Sequence, residues 1–118
     1  MNINKIKGKK GEEIAAKFLI DKGFEILETN YYASRYGEID IIAQKKDLLV
    51  FCEVKARSSQ AFGHPLEAIT RLKLQKMHDA VNFYLLQKKP KIKTYRIDAI
   101  SIIFKPELDI LHIENVFQ

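Results

Sequence analysis

From Glu12 to Lys22 the apolar residues Ile14, Ala15, Phe18 and Leu19 recur at helical spacing, and Gly23 stops the pattern in the manner of a helix C-terminus. Gly8 to Gly11 reads as a basic lead-in to that helix. The period then changes. Phe24 to Tyr32 reads as a strand, Ala33-Ser34-Arg35-Tyr36-Gly37 as a loop, and Gly37 to Ala43 with Leu48 to Arg57 as the two arms of a β-hairpin rich in Ile, Val, Leu and Phe. After a polar segment from Ser58 to His64, Pro65 suits the first position of a long helix reaching Gln87. Its predicted stripe is Leu66, Ile69, Leu72, Met77, Ala80, Val81, Tyr84 and Leu85. Lys88-Lys89-Pro90-Lys91 ends it, and strands follow from Thr94 to Phe104 and around Leu108 to Ile113. The order αβββαββ predicts an α/β fold with a mixed five-stranded sheet flanked by helices. The helix before the fourth strand allows that strand to lie parallel to an earlier one.

Composition narrows the picture. At 118 residues the chain suits a single domain spanning 1–118 with a core of its own. No apolar run approaches the roughly 18 residues of a membrane span, and the amino terminus lacks a secretory h-region, so a cytoplasmic protein without a membrane partner is expected. The one cysteine, Cys52, excludes an internal disulfide, and His64, His78 and His112 lack the spacing of a zinc site. A net charge of +5 favours a polyanionic partner such as nucleic acid.

The hairpin carries acids where a core hairpin has no need of them. Pairing outward from the Lys46-Asp47 turn places Asp40 opposite Glu53, with Cβ atoms roughly 4.5 to 5.5 Å apart, which is destabilising unless something positive sits between them. Lys55 shares the face of Glu53, and Cys52 faces the other way. Glu12, at the border of the first helix's stripe, looks along the packing edge toward the sheet, whereas Glu13 is solvated. Mg²⁺ or Mn²⁺ answers this geometry, since a hard cation is held by one or two carboxylates together with substrate phosphates. Asp40 and Glu53 would be its ligands, it would activate a water, and Lys55 would orient that water or stabilise phosphoryl charge. The chemistry is phosphodiester hydrolysis. Arg35, Arg57, Lys73 and Lys76 are the candidate phosphate contacts, with Tyr36 beside Arg35 placed to meet a base; simple solvation is the plain alternative for the two lysines, and the commoner one for an arginine beside a tyrosine in a loop. Asp98, following Arg96, reads as a structural ion-pair partner.

Asp40, a hairpin's length, then Glu53-Val54-Lys55 resembles the D…E-x-K core of the PD-(D/E)XK nucleases. Gly11-Glu12-Glu13-Ile14-Ala15-Ala16, Gly37-Glu38-Ile39-Asp40-Ile41-Ile42, Val50-Phe51-Cys52-Glu53-Val54-Lys55-Ala56-Arg57, Phe62-Gly63 and Arg96-Ile97-Asp98 resemble the YraN family of bacterial proteins, itself similar to archaeal Holliday junction resolvases. The resemblance implies a restriction-endonuclease-like fold, Asp40 and Glu53 as metal ligands, Lys55 as catalytic lysine and Glu12 as a further catalytic acid. It also implies DNA, branched or junction DNA included, as substrate. The chain departs from the pattern at Ile39, where the superfamily has proline, and at Cys52 and Ile97, which look like core substitutions. Two symmetric cuts in a junction would require a homodimer. Two other classes fit the same residues: a nucleic-acid-binding module that keeps the scaffold without turnover, and a protein-interaction domain whose acidic patch is only solvated.

Overall fold

A computed structural model describes residues 3–61 and 63–116. Met1, Asn2, Phe62, Phe117 and Gln118 lie outside it, Phe62 of the family-like motif among them. The element order is α1 (Ile3–Asp21), β1 (Glu25–Tyr32), β2 (Glu38–Lys45), β3 (Leu48–Arg57), α2 (Arg71–Lys88), β4 (Thr94–Ile103) and β5 (Asp109–Ile113). The strands form one sheet in chain order, antiparallel throughout except that β3 and β4 run parallel across the α2 connection.

The sheet separates two cores. Ala15 and Leu19 of α1 pack on Ile41, Ala43, Val50, Cys52, Ile100 and Ile102, while Met77, Ala80, Val81 and Tyr84 of α2 pack on Ile39, Ile42, Leu49, Phe51 and Ile97. β3 lies between strands on both sides and between helices on both faces, which is why Leu49 to Cys52 is continuously buried instead of alternating. No helix among the described residues is long and apolar enough to cross a membrane.

Two helix boundaries differ from the expected ones. The basic lead-in is itself helical, because α1 runs back through Gly11, which sits directly against β3: a Cβ built there would lie 2.8 Å from the Ala56 Cβ. Only glycine permits that approach. The other end follows expectation, with Gly23 at φ +96°, its N–H donating to the Ile20 carbonyl and the Phe24 N–H to that of Leu19. The single helix expected from Pro65 is broken in two. Pro65–Ala68 forms a 3-10 turn, Ile69 is extended, and α2 starts afresh where the Thr70 hydroxyl accepts from the Lys73 N–H at 3.2 Å. The restart shifts the helical phase, so Leu72, placed in the buried stripe by periodicity, is 66 % exposed.

Candidate active site

The site begins with an irregularity in the sheet. The β1–β2 ladder joins Thr29 to Ile41 and Tyr31 to Ile39, passing over Asn30 and Asp40, and Asn30 takes a left-handed φ of +52°. Asparagine tolerates that region better than most residues. Ile39 and Ile41 consequently serve opposite cores instead of sharing a face. On its other side β2 pairs with β3 in the turn-centred register, from Lys45–Leu48 out to Ile41–Cys52.

That ladder stops one pair short of Asp40 and Glu53, correcting the expectation that the two are directly opposed strand partners. Where the next backbone pair would form, the Asp40 carboxylate inserts and its Oδ2 accepts the Val54 N–H at 2.8 Å. The side chain thus takes over a ladder bond, and the strands part around it.

Glu53 and Lys55 lie together on the α2 face, with Nζ 3.2 Å from Oε1 and each side chain about one-fifth exposed (19 % for Lys55, 22 % for Glu53). Cys52 points into the α1 core, as alternation required, and burial pushes its thiol pKa up. Cys52 and Ile97 are both core residues, as expected of substitutions at those positions. Glu12 comes from the α1 side. Its Oε1 accepts from Asn30 Nδ2 at 2.7 Å, so the same asparagine that breaks the ladder fixes the acid beside it.

The electrostatics follow from this crowding. Burial and then the neighbouring Glu53 carboxylate raise the Asp40 pKa to about 7; Glu12 adds to the shift, and the Val54 N–H and Lys55 oppose it. Burial raises Glu12 as well, against the Asn30 hydrogen bond and with help from Glu38 and Glu53. For Lys55, burial pulls the pKa down, but contact with Lys73 and the carboxylates of Glu53 and Asp40 outweigh it, and the net shift is upward. Lys73 answers for that contact: the hydrogen bond with Lys55, then burial, lowers its own pKa.

The structure therefore gathers Glu12, Asp40, Glu53 and Lys55 at one place and adds Lys73 from the first turn of α2. Lys76 lines the same cleft as Glu53, and Arg57 is near enough to act on Lys73. Arg35 sits at the rim, stacked 5.2 Å over the Tyr36 ring and donating to its hydroxyl at 3.0 Å. Asp98 stands apart. It is fully buried on the α1 face, held by Arg96 Nε at 2.9 Å, His112 Nε2 at 2.7 Å and the Asn115 N–H at 2.9 Å, the structural pairing the sequence suggested.

The donor set consists of carboxylate oxygens, the chemistry of a hard cation such as Mg²⁺ or Mn²⁺. Among the described residues no group of three or more His, Cys, Asp or Glu side chains is arranged to hold a metal, so the site offers the Asp40–Glu53 pair. A pair fits a cation that keeps waters and shares substrate phosphates, and the raised proton affinity of Asp40 marks negative charge that a cation would relieve. Asn30 was missed in the sequence; its only signal was an asparagine inside a strand, where that residue is depleted.

A family model described as "Uncharacterised protein family UPF0102" matches residues 11–102, a span that holds Gly11, Glu12, Asp40, Glu53, Lys55 and Lys73. Similar proteins include a UPF0102 protein of Dictyoglomus thermophilum, 47% identical over 92% of this chain and 91% of its own length. Another, from Persephonella marina, is 43% identical over 95% of this chain and 93% of its own. A third, from Clostridioides difficile, is 40% identical over 97% and 98%.

Proposed function

The chain belongs to the uncharacterised protein family UPF0102, and from its carboxylate site we propose that it is a Mg²⁺- or Mn²⁺-dependent nuclease of PD-(D/E)XK type, hydrolysing phosphodiester bonds in DNA. Branched and junction DNA are the substrates of first interest. The observation that carries the reading is the Asp40 carboxylate fixed on the Val54 N–H beside the Glu53–Lys55 pair. The mixed sheet with a helix on each face supports it, as does the D…E-x-K spacing on adjacent strands.

Asp40 and Glu53 would hold the cation. Bound there, it would supply Lewis acidity toward a phosphoryl oxygen and a more acidic water. Lys55, held 3.2 Å from Glu53 Oε1, has the role of donating to the water or to a phosphoryl oxygen. Glu12, tied to Asn30, adds negative charge next to Asp40 and a hydrogen-bond acceptor for water. Lys73 and Lys76 meet the phosphate backbone beside the cut.

Incubation with linear, flapped and four-way-junction DNA plus Mn²⁺ tests this. Cleavage lost in Asp40→Ala is the expected result; no cleavage of any substrate, or cleavage indifferent to Asp40→Ala, sinks the catalytic reading. One observation favours a second reading, a nucleic-acid-binding module without turnover: Glu12 is engaged with Asn30, leaving two carboxylates for the cation. That reading requires salt-sensitive binding that survives Glu53→Ala and needs no metal.

A further inference from the structure

Beside Glu53 lies a half-open cavity of about 160 Å³ between the segment carrying Tyr36 and Gly37 and the start of α2. It is smaller than the roughly 300 to 1,000 Å³ of pockets for drug-sized ligands, the size class of a single ring system. Its lining is apolar, aromatic and charged, and the charged part holds the carboxylates of Glu38 and Glu53 as well as two lysines. Ile69, Leu74 and Met77 give an apolar floor, and the Tyr36 ring, held at 6.0 Å from Phe83 and covered outside by Arg35, gives an aromatic side. Lys73 and Lys76 stand on one turn of α2 at its edge. The backbone of Lys73 is anchored by the Thr70 cap, which sets the two lysines of this turn at the cavity edge, where a single anion can reach both.

An apolar, aromatic-sided hollow with two lysines at its edge and the Glu38 and Glu53 carboxylates in its lining matches a nucleotide: a flat base carrying hydrogen-bond donors, with a phosphate attached. A phosphate alone would need the lysines and no hollow, and an apolar side chain would need the hollow and no lysines. We propose that this cavity receives one unpaired nucleotide of the substrate strand, its base against Met77, Leu74 and Tyr36 and its phosphate between Lys73 and Lys76. Placing that nucleotide next to the scissile phosphate rests on the nuclease reading; occupation of the cavity does not. A strand offering an unpaired base beside the cut, as at a flap or branch point, would then be preferred over a continuous duplex, whose bases cannot enter without unstacking.

Met77 reports on the cavity directly, since the chain holds two methionines. Protein with ¹³C-methyl methionine, its Met77 signal assigned through Met77→Leu, is titrated in EDTA with 2′-deoxyadenosine 5′-monophosphate and with 2-deoxyribose 5-phosphate. The nucleotide should move the Met77 methyl saturably upfield by the ring current of its base. The sugar phosphate should compete for the site without that movement. Lys73→Ala should weaken the nucleotide about tenfold, the loss expected for a hydrogen-bonded charge, while Lys91→Ala, an exposed lysine beyond α2, leaves it unchanged. An unmoved Met77, or equal shifts from both ligands, overturns the proposal. No metal is present and nothing is cut, so an unmoved Met77 in a protein that still cleaves DNA overturns the cavity alone, whereas the expected shift in a protein that cleaves nothing upholds the cavity and removes the nuclease.

Discussion

At the scale of single residues, Asp40 and Asp98 are opposite solutions to a buried carboxylate. Asp98 is fully buried and meets Arg96, His112 and a backbone N–H; burial alone would raise its pKa, but the His112, Arg96 and Asn115 bonds reverse the shift, and the folded value falls below the ordinary 3.8. A depressed folded pKa stabilises the protein above the unfolded value and is lost as pH falls through the folded one. Acid unfolding should therefore draw on Asp98 only below about pH 3.8. Asp98→Ala takes the partner from His112 Nε2 and the Asn115 N–H, while Arg96 keeps Glu114 at 3.1 Å, and should cost roughly 1 to 3 kcal/mol in urea unfolding at pH 7. Asp40 runs the other way. Its folded pKa, raised to about 7, means that the protein loses stability as pH climbs from 3.8 to 7 and Asp40 must ionise beside Glu53. Asp40→Asn keeps an oxygen for the Val54 N–H and sheds the charge, so its Tm should exceed that of the parent at pH 8, with the gap closing toward pH 4. A gap that stayed constant with pH would show that the Asp40 charge is not strained. On the proposed nuclease reading the same substitution should end cleavage, the usual exchange of stability for function at a strained site.

At the scale of elements, the site depends on how two helices meet the sheet. The close approach of α1 to β3 at Gly11–Ala56 sets where Glu12 stands. Gly11→Ala should destabilise by about 1 to 3 kcal/mol through overpacking, although alanine favours helix by about 1 kcal/mol. Ala56→Gly should recover the loss in the double variant, and failure of that rescue would place the cost elsewhere. For α2, Thr70→Ala should cost about 1 kcal/mol of cap energy. It should also weaken nucleotide binding, because Thr70 anchors the backbone of Lys73. The two caps were unequally visible in the sequence. Gly23 announced the end of α1, whereas Thr70 was overlooked because Pro65 offered an earlier start and Leu66, Ile69 and Leu72 happened to continue the period. The phase slip that exposes Leu72 comes from the extended Ile69 between the turn and the helix, a backbone break that periodicity does not encode.

At the scale of the whole molecule, the basic balance acquires a direction. Lys55, Lys73, Lys76 and Arg57 gather on the α2 side of the carboxylates, with Arg35 at the rim, so a polyanion such as the proposed DNA substrate would meet cations on that side as well as Glu53. If Arg57 neutralises one backbone phosphate and Lys73 and Lys76 share another, the plot of log K against log salt should flatten by about 0.7 to 0.9 in Arg57→Ala and by as much again when both lysines are replaced by alanine. An unchanged slope would move the binding surface to another face.

The element order, the mixed sheet and the turn-centred register were legible along the chain, and Glu12, Asp40, Glu53 and Lys55 stood out there as candidates, because each rests on local period, local turn geometry or a motif. How the acids come together is a matter of packing in three dimensions. The apposition of Asp40 and Glu53 is made by a carboxylate replacing a backbone bond at Val54, and it is permitted by a left-handed Asn30 on a third strand that also holds Glu12. Lys73 reaches Lys55 only because α2 restarts at Thr70 and returns across the sheet. These are contacts between segments distant along the chain, fixed by packing, and no period along a single strand or helix carries them.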